Sequence, residues 1–289
     1  MPNIYFPYLN LSFNIDPIAF EIFGIQIYWY GIILTTGILL GLLMAMYIAT
    51  KEGLSTEHIF DFLLYDIVFA ILGARAYFVA FNWDYYKENM GQILNLRQGG
   101  IAIYGAIIAS LIVAIIYTRH RKINLWQFAD VAVYGLLVGQ AIGRYGNFVN
   151  KEAFGGYTNN LFAMQIVRQE ASTPVTQDML DHIIVRNGIE FIQVHPTFFY
   201  ESCWSIGLLL LLLIYRKYKK HSGEIFFLYI AGYGIGRFWI EGLRTDQLIV
   251  PGINIAASQI VAIISLIAGV FGFLWCRKAD RTTIKFKKM

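Results

Sequence analysis

Charge is what this chain has least of. Only 15% of its 289 residues are Asp, Glu, Lys or Arg, against about a quarter in soluble domains. No charged side chain occurs between Phe23 and Thr50, between Gln98 and Thr118, or between Gln247 and Cys276. These runs exclude an ordinary soluble fold, because ~18 or more apolar residues cross a ~30 Å hydrocarbon core as a helix. Cysteine is also scarce. Cys203 and Cys276 stand in apolar stretches with no CxxC and no His/Cys spacing for a metal, so no metal or other cofactor is expected. Walker A, HExxH and GxSxG sequences are missing, which argues against nucleotide loops, zinc hydrolysis and serine acyl transfer. The HxxxxD spacing of glycerolipid acyltransferases is missing too, since Leu63 follows His58 by five residues and Tyr200 follows His195 by five. The first twenty residues lack the basic segment of a cleaved signal peptide. No internal repeat of the transporter kind is visible, and no nucleic-acid partner is expected.

What the chain has is apolar length: 57% hydrophobic and 16% aromatic residues. The pattern predicts an all-α polytopic membrane protein, a single integral membrane domain over residues 1–289. Its seven transmembrane helices fall near 25–50, 60–81, 99–117, 128–149, 198–215, 224–243 and 258–276. Three are interrupted by arginine, namely Arg75, Arg144, and Arg237 with Glu241 one turn on, and a strict hydropathy criterion can miss such spans. Alternate loops are basic: Lys51; Arg119, Arg121 and Lys122; Arg216, Lys217, Lys219 and Lys220; and a tail with Arg277, Lys278, Arg281, Lys285, Lys287 and Lys288. The opposite loops carry Lys87, Arg97, Lys151, Arg168, Arg186 and Arg244. By the positive-inside bias the N-terminus lies outside and the C-terminus in the cytoplasm. The largest loop, 150–197, then forms a small extracytoplasmic cap. Its FAMQIV and IEFIQV segments read as short strands, with Asn159, Asn160 and Asn187-Gly188 as turns. The aromatic segments 1–24 and 82–98 are expected along the membrane interface.

An intramembrane charge costs at least ~2.5–3.5 kcal/mol, so each one marks a candidate site. In this orientation Arg75, Arg144, Arg237, Glu241, Tyr30, Tyr104 and Glu201 all fall toward the outer end of their spans. Segments distant in sequence thus meet at one depth. Arg75 read singly is also what snorkelling produces, and Arg237 with Glu241 one turn on is also a structural ion pair. Arg144 is followed by Asn147 and Asn150, a planar cation and two amides suited to phosphate oxygens. Counting Arg75, Arg144, Arg237 and Arg244 against Glu152, Glu201 and Glu241, the layer carries an excess of cations that a phospholipid headgroup would fill. A non-enzymatic lipid or anion transporter built on the same arginines is the alternative. It would need polar lining in the inner half, where only Asp61, Asp66 and Asp130 are found. A sensor or scaffold, tolerant of Arg→Lys, is a third.

The string GRYGNFVNKEAFG at Gly143–Gly155 resembles the signature of bacterial prolipoprotein diacylglyceryl transferases. The likeness extends through Trp29-Tyr30-Gly31, Gly73-Ala74-Arg75, GGIAIYGA at 99–106, His195-Pro196 with Tyr200-Glu201, and Tyr233-Gly234 with Gly236-Arg237, Glu241 and Arg244, to Ser258-Gln259. It implies a plasma-membrane enzyme of bacteria. Its substrates would be phosphatidylglycerol, a membrane lipid, and preprolipoprotein signal peptides bearing a lipobox cysteine. The diacylglyceryl group would move to that thiol, forming a thioether and releasing glycerol phosphate. The resemblance makes Arg144 and Arg237 the essential arginines. Asn147, Tyr30, Arg75, Glu152, Gly155, Glu201, Glu241 and Arg244 are expected to line or support the substrate cavity. Tyr104 stands where some members carry a histidine proposed as a base. Tyrosine ordinarily titrates near ~10, so Tyr104 is expected to donate a hydrogen bond; Glu201 or Glu241 could act as the base, and the base stays unassigned.

Overall fold

The computed structural model describes residues 2–96 and 99–278. Arg97, Arg281, Lys285, Lys287 and Lys288, used above in the loop asymmetry, lie outside the described residues. The strands are β1 (Ile4–Phe6), β2 (Leu11–Phe13), β3 (Ile18–Ile22), β4 (Ile25–Tyr28), β5 (Met164–Val167), β6 (Ile184–Arg186) and β7 (Ile189–Val194). The helices are α1 (Trp29–Glu52), α2 (Thr56–Phe81), α3 (Trp83–Tyr86), α4 (Ile103–His120), α5 (Leu125–Val149), α6 (Gln177–Asp181), α7 (Thr197–Tyr215), α8 (Glu224–Glu241) and α9 (Ala257–Lys278).

Among the described residues, six helices are long and apolar enough to cross a membrane: α1, α2, α4, α5, α7 with its continuation to Tyr218, and α9. The charges at Arg75 and Arg144 do not remove α2 and α5, whose 26 and 25 residues dilute them. The seventh expected span, α8, forms where the sequence places it. Its 18 residues include Glu224, Arg237 and Glu241, and these keep it outside the apolar class. Two starts also move. The run from Ile25 begins as β4 and turns helical only at Trp29, after a tight turn at Phe23 (φ 50°) and Gly24 (φ 78°). The run from Gly99 becomes helical only at Ile103.

The chain divides into two compact units. One holds everything up to Gly41 and from Val133 onward, the other Leu42–Ala132. In the first, an antiparallel sheet of order β2-β1-β5-β7-β6 forms. The strands read from FAMQIV and IEFIQV are β5 and β7, and Asn187 (φ 49°) with Gly188 (φ 80°) makes the β6–β7 hairpin turn. Both residues at positive φ match the twist of the flanking strands. The N-terminal segment, expected along the interface, instead adds β1 and β2. Ile4 and Phe6 point into a buried cluster with Phe154, Met164, Ile166, Met179, Ile192 and Val194. Below the sheet, α8 packs along α9 and against α7. Glu224, fully buried at the start of α8, accepts from the Tyr215 hydroxyl at 2.5 Å and the His221 backbone N–H at 3.1 Å, with Arg277 Nε 3.7 Å away. A carboxylate in a first helical turn also suits the helix dipole.

The second unit pairs α2 with α4. Ser55 caps α2 and Asn124 caps α5 through side-chain oxygens that accept from backbone N–H groups. Leu64, Val68 and Leu72 on α2 and Ile107, Ile108 and Leu111 on α4 are exposed, the outward face of a lipid-embedded pair. The hairpin gives a direct check on the cap. Gly188→Val forces a β-branched residue into the left-handed region, which costs about 1–2 kcal/mol. Hydrogen exchange in β6 and β7 should quicken accordingly, and unchanged exchange there would contradict the turn.

Candidate functional site

In the first unit three helices bring their charges to one carboxylate. Pro196 precedes α7, and Glu201 follows one turn inside it. From α5, Arg144 Nη2 lies 2.5 Å from Glu201 Oε2. From α8, Arg237 Nη1 is 3.6 Å from Glu201 Oε1, and Arg244 Nη1, just past the helix, is 3.8 Å from the same oxygen. Glu241 closes the group, its Oε2 at 2.5 Å from Arg237 Nη2 and 4.0 Å from Arg244 Nε. Glu201 and Glu241 are almost fully buried, while Arg144 keeps about a quarter of its side chain exposed (24%). Arg144 is therefore the arginine most open to a ligand.

The sequence reading missed one member. Asp246 takes Arg244 in a two-pronged pair, accepting from Nε at 2.8 Å and from Nη2 at 2.6 Å. The signal was there in the Arg-Thr-Asp spacing at the end of α8. Its presence corrects the electrostatic expectation. Three guanidiniums face three carboxylates, Glu201, Glu241 and Asp246, so this cluster has no net excess of cations. The earlier excess counted Arg75, which belongs to the second unit, and Glu152, which accepts from Asn147 and Asn150, and it left Asp246 out.

Around the cluster the GRYGNFVNKEAFG segment is held by local bonds. Asn147 and Asn150 both turn their amides onto Glu152 Oε1, donating at 2.9 and 3.4 Å. Those amides thus orient a carboxylate. Gly146 is an interior helical residue, and a Cβ there would lie 2.7 Å from the Tyr30 ring. Its small size lets the Tyr30 ring pack directly against α5. Gly155 threads between two backbones. Its N–H donates to the His195 carbonyl at 3.0 Å, and the next N–H, of Gly156, donates to Leu243 at 2.9 Å. A Cβ on Gly155 would sit 2.7 Å from the Leu243 carbonyl oxygen. That crossing ties the cap to the residue before Arg244.

His195, beside this crossing, has Nδ1 3.2 Å from the Tyr200 hydroxyl and 3.4 Å from the Asn160 amide. Burial holds its imidazole below the usual histidine range, so the ring is neutral near pH 7. Asp246 shows the opposite balance. Burial alone would raise its carboxyl, but the hydrogen bonds and charge of Arg244 outweigh it and hold it below the usual carboxylate range. Arg75 and Tyr104 lie in the second unit. Arg75 is buried, its guanidinium on the backbone carbonyls of Gln92, Ile93, Asn95, Gly99 and Gly100, and Tyr104 stands in the first turn of α4 with 42% of its surface exposed. Among the described residues no group of three or more His, Cys, Asp or Glu could hold a metal ion.

The family model described as prolipoprotein diacylglyceryl transferase matches residues 17–275. A protein of Clostridioides difficile named phosphatidylglycerol–prolipoprotein diacylglyceryl transferase is 38% identical over 93% of this chain and 98% of its own length. Proteins of the same name from Lysinibacillus sphaericus and Finegoldia magna are 40% and 41% identical. They cover 96% and 88% of this chain, and 97% and 93% of their own lengths.

Two measurements probe the cluster itself. Glu201→Ala leaves buried guanidiniums facing one another, which should cost about 3–5 kcal/mol of stability. Glu201→Gln, retaining the amide oxygen, should lose less, and equal melting midpoints for both variants and the parent would refute the pairing. Asp246 stabilises the fold above the ordinary carboxylate range, because its carboxyl titrates lower folded than unfolded. That contribution disappears as pH falls through the lowered value. Thermal melts in detergent should lose midpoint at acid pH, and Asp246→Asn should lack that part of the loss.

Proposed function

Because the chain belongs to the prolipoprotein diacylglyceryl transferase family, we propose that the Arg144–Glu201–Arg237–Arg244 cluster is where it grips the phosphate of its lipid substrate. The protein is a multi-pass membrane transferase of the first step of lipoprotein maturation. It moves the diacylglyceryl group of phosphatidylglycerol onto the cysteine thiol of a prolipoprotein. The sulfur attacks the glyceryl carbon that bears the phosphate, a C–S bond forms and the C–O bond breaks. The electron pair leaves with the released glycerol phosphate, which also takes up, in the net reaction, the proton the thiol gives up.

That chemistry asks for fixed positive charge where the leaving phosphate gathers electrons. The observation that carries the reading is the meeting of Arg144, Arg237 and Arg244 on a single carboxylate oxygen pair. Two oxygens of Glu201 already occupy the focus of the guanidiniums, in the geometry a phosphate would adopt there. The lipid phosphate displaces Glu201 from Arg144, the most exposed of the three, while Glu241 and Asp246 keep Arg237 and Arg244 oriented. Asn147, Glu152, Tyr30 and Gly155 fix the surrounding backbone and side chains. The peptide supplies the nucleophile, in keeping with a cluster that contains no cysteine or serine.

The membrane arrangement follows the same logic. We read α8 as the seventh crossing. Its three charges lie at its two ends, Glu224 at the start and Arg237 with Glu241 at the finish, with an apolar stretch between them. Each is paired with a neighbouring side chain, which lowers the cost of burial in hydrocarbon. Seven crossings put the N-terminus and the sheet outside and the C-terminus in the cytoplasm. The loop asymmetry in Lys and Arg supports that direction.

Purified protein given phosphatidylglycerol and a lipobox peptide should yield a peptide heavier by one diacylglyceryl group in mass spectrometry. Arg144→Ala and Arg237→Ala should reduce turnover by about 100-fold or more, the scale of losing one preorganised donor to a developing oxyanion. Arg→Lys at either position should fail to restore it, because a point charge does not reproduce a two-pronged fork. Full turnover by the alanine variants would end the assignment.

A further inference from the structure

The contact between α5 and α7 has two rungs. Arg144 and Glu201 make the first, with Nη2 and Oε2 2.5 Å apart. Phe148, one turn further along α5, and Phe198, one turn back along α7, make the second, their rings stacked with centres 4.6 Å apart. A helical turn rises about 5.4 Å, so an aromatic floor begins about one turn from the charged pair. It lies on the cap side of that pair. Phe148 follows Arg144 toward the end of α5, and Phe198 stands in the first turn of α7, where the chain leaves the cap.

The sheet supplies the facing wall. Phe6 of β1 and Phe13 of β2 meet Phe148 with ring centres 6.2 and 5.9 Å away. Tyr145 closes the other side, edge-on to Phe198 at 5.6 Å. The groove between them encloses about 230 Å³ and is lined by phenylalanine, leucine and tyrosine alone. Phe6 and Phe198 are buried at its floor, while Leu11 and Phe13 stand exposed at its rim. A contiguous apolar patch left open beside a polar cluster is the mark of a binding surface. All of these residues belong to the same compact unit as the arginine cluster.

Position and size select the occupant. A lipid whose phosphate is held at the arginines sends its acyl chains along the apolar helices, away from the sheet and the groove. The peptide substrate has to bring its thiol to the glyceryl carbon beside that phosphate, and a secretory signal segment carries an apolar stretch ahead of its processed position. An extended chain advances about 3.3 Å per residue, so a side chain two residues from the cysteine spans the step from the charged rung to the aromatic one. A cavity of ~150 Å³ holds a benzene-sized guest, which makes 230 Å³ room for one large aliphatic side chain and not for a whole acyl chain. We propose that this groove seats an apolar side chain of the prolipoprotein, about two residues before the cysteine, while the thiol meets the lipid at the arginine cluster. The position of the lipid phosphate rests on the transferase reading above, whereas the groove and its distance from Arg144 rest on the ring contacts.

The test uses the full chain with phosphatidylglycerol and two lipobox peptides, one with leucine and one with alanine two residues before the cysteine. In the Leu11→Ala/Phe13→Ala double variant, which strips the exposed rim, KM for the leucine peptide should rise about 10-fold or more, the scale of uncovering one buried aliphatic side chain. KM for phosphatidylglycerol should stay within about 2-fold. For the alanine peptide the same variant should change KM by about 2-fold or less, the coupling expected of groups in direct contact. A peptide with the diazirine analogue of leucine at that position should, on irradiation of the parent protein, cross-link to residues 6–13, 145–148 or 198–199 in mass spectrometry. Equal KM for the two peptides with the parent protein, or cross-links confined to other segments, would overturn the inference. So would a rise in KM for phosphatidylglycerol that varies with acyl-chain length, which would put the lipid chain in the groove. A dimer of the parent that dissociates in the double variant, with KM for the leucine peptide unmoved, would overturn it too, by making the rim a contact between copies. Should the double variant fail to fold, the two peptides and the cross-link decide on the parent protein alone. Absence of product from the parent would sink the transferase reading, and the cross-link would still judge the groove.

Discussion

A guanidinium placed among apolar helices must find its counter-charge or its carbonyls there, and that requirement organises this protein. Glu201 answers it for three arginines at once. One carboxylate, carried on α7, draws α5 and α8 to a common point. Glu241 and Asp246 complete the pairing, so the cluster is nearly neutral. A preorganised cluster of this kind costs little reorganisation when charge develops on a bound phosphate.

The cap and the helices are bound together at the same place. Gly155 and Gly156 exchange backbone hydrogen bonds with His195 and Leu243, so the end of the signature segment, the entry to α7 and the exit of α8 share one short crossing. Thr197 adds a hydroxyl bond to the Ala153 carbonyl. A movement of the cap at this crossing would move the backbone beside Arg244 and the first turn below Glu201. The sheet above it is small, but Ile4 and Phe6 give it a core that reaches the N-terminus of the chain.

Two intramembrane arginines with similar surroundings in the sequence meet different ends. Arg144 and Arg75 both sit late in long apolar helices and both precede an aromatic-rich segment. Arg144 faces a carboxylate and keeps part of its surface open, whereas Arg75 is spent on the carbonyls of Gln92, Ile93, Asn95, Gly99 and Gly100. Hydropathy and depth treat the two alike, because neither quantity records what a side chain's nitrogens touch. Donor accounting separates an arginine with surface left open from a support of the turn.

The sequence by itself determined the class. Long charge-free runs leave no alternative to helices in a bilayer. The alternation of basic loops implies a direction, and Asn187-Gly188 specifies a hairpin, since these are local properties of composition and backbone preference. The six apolar helices and the strands at 164–167 and 189–194 appear for those reasons. Tertiary structure alone decided the charges. Which carboxylate each arginine meets, that Asp246 cancels the cation excess, that Asn147 serves Glu152, and that β1 joins β5 across some 160 residues are all consequences of long-range pairing. Electrostatic partners are chosen by distances of 3–4 Å, and such distances between segments far apart in the chain are set only when the helices have packed.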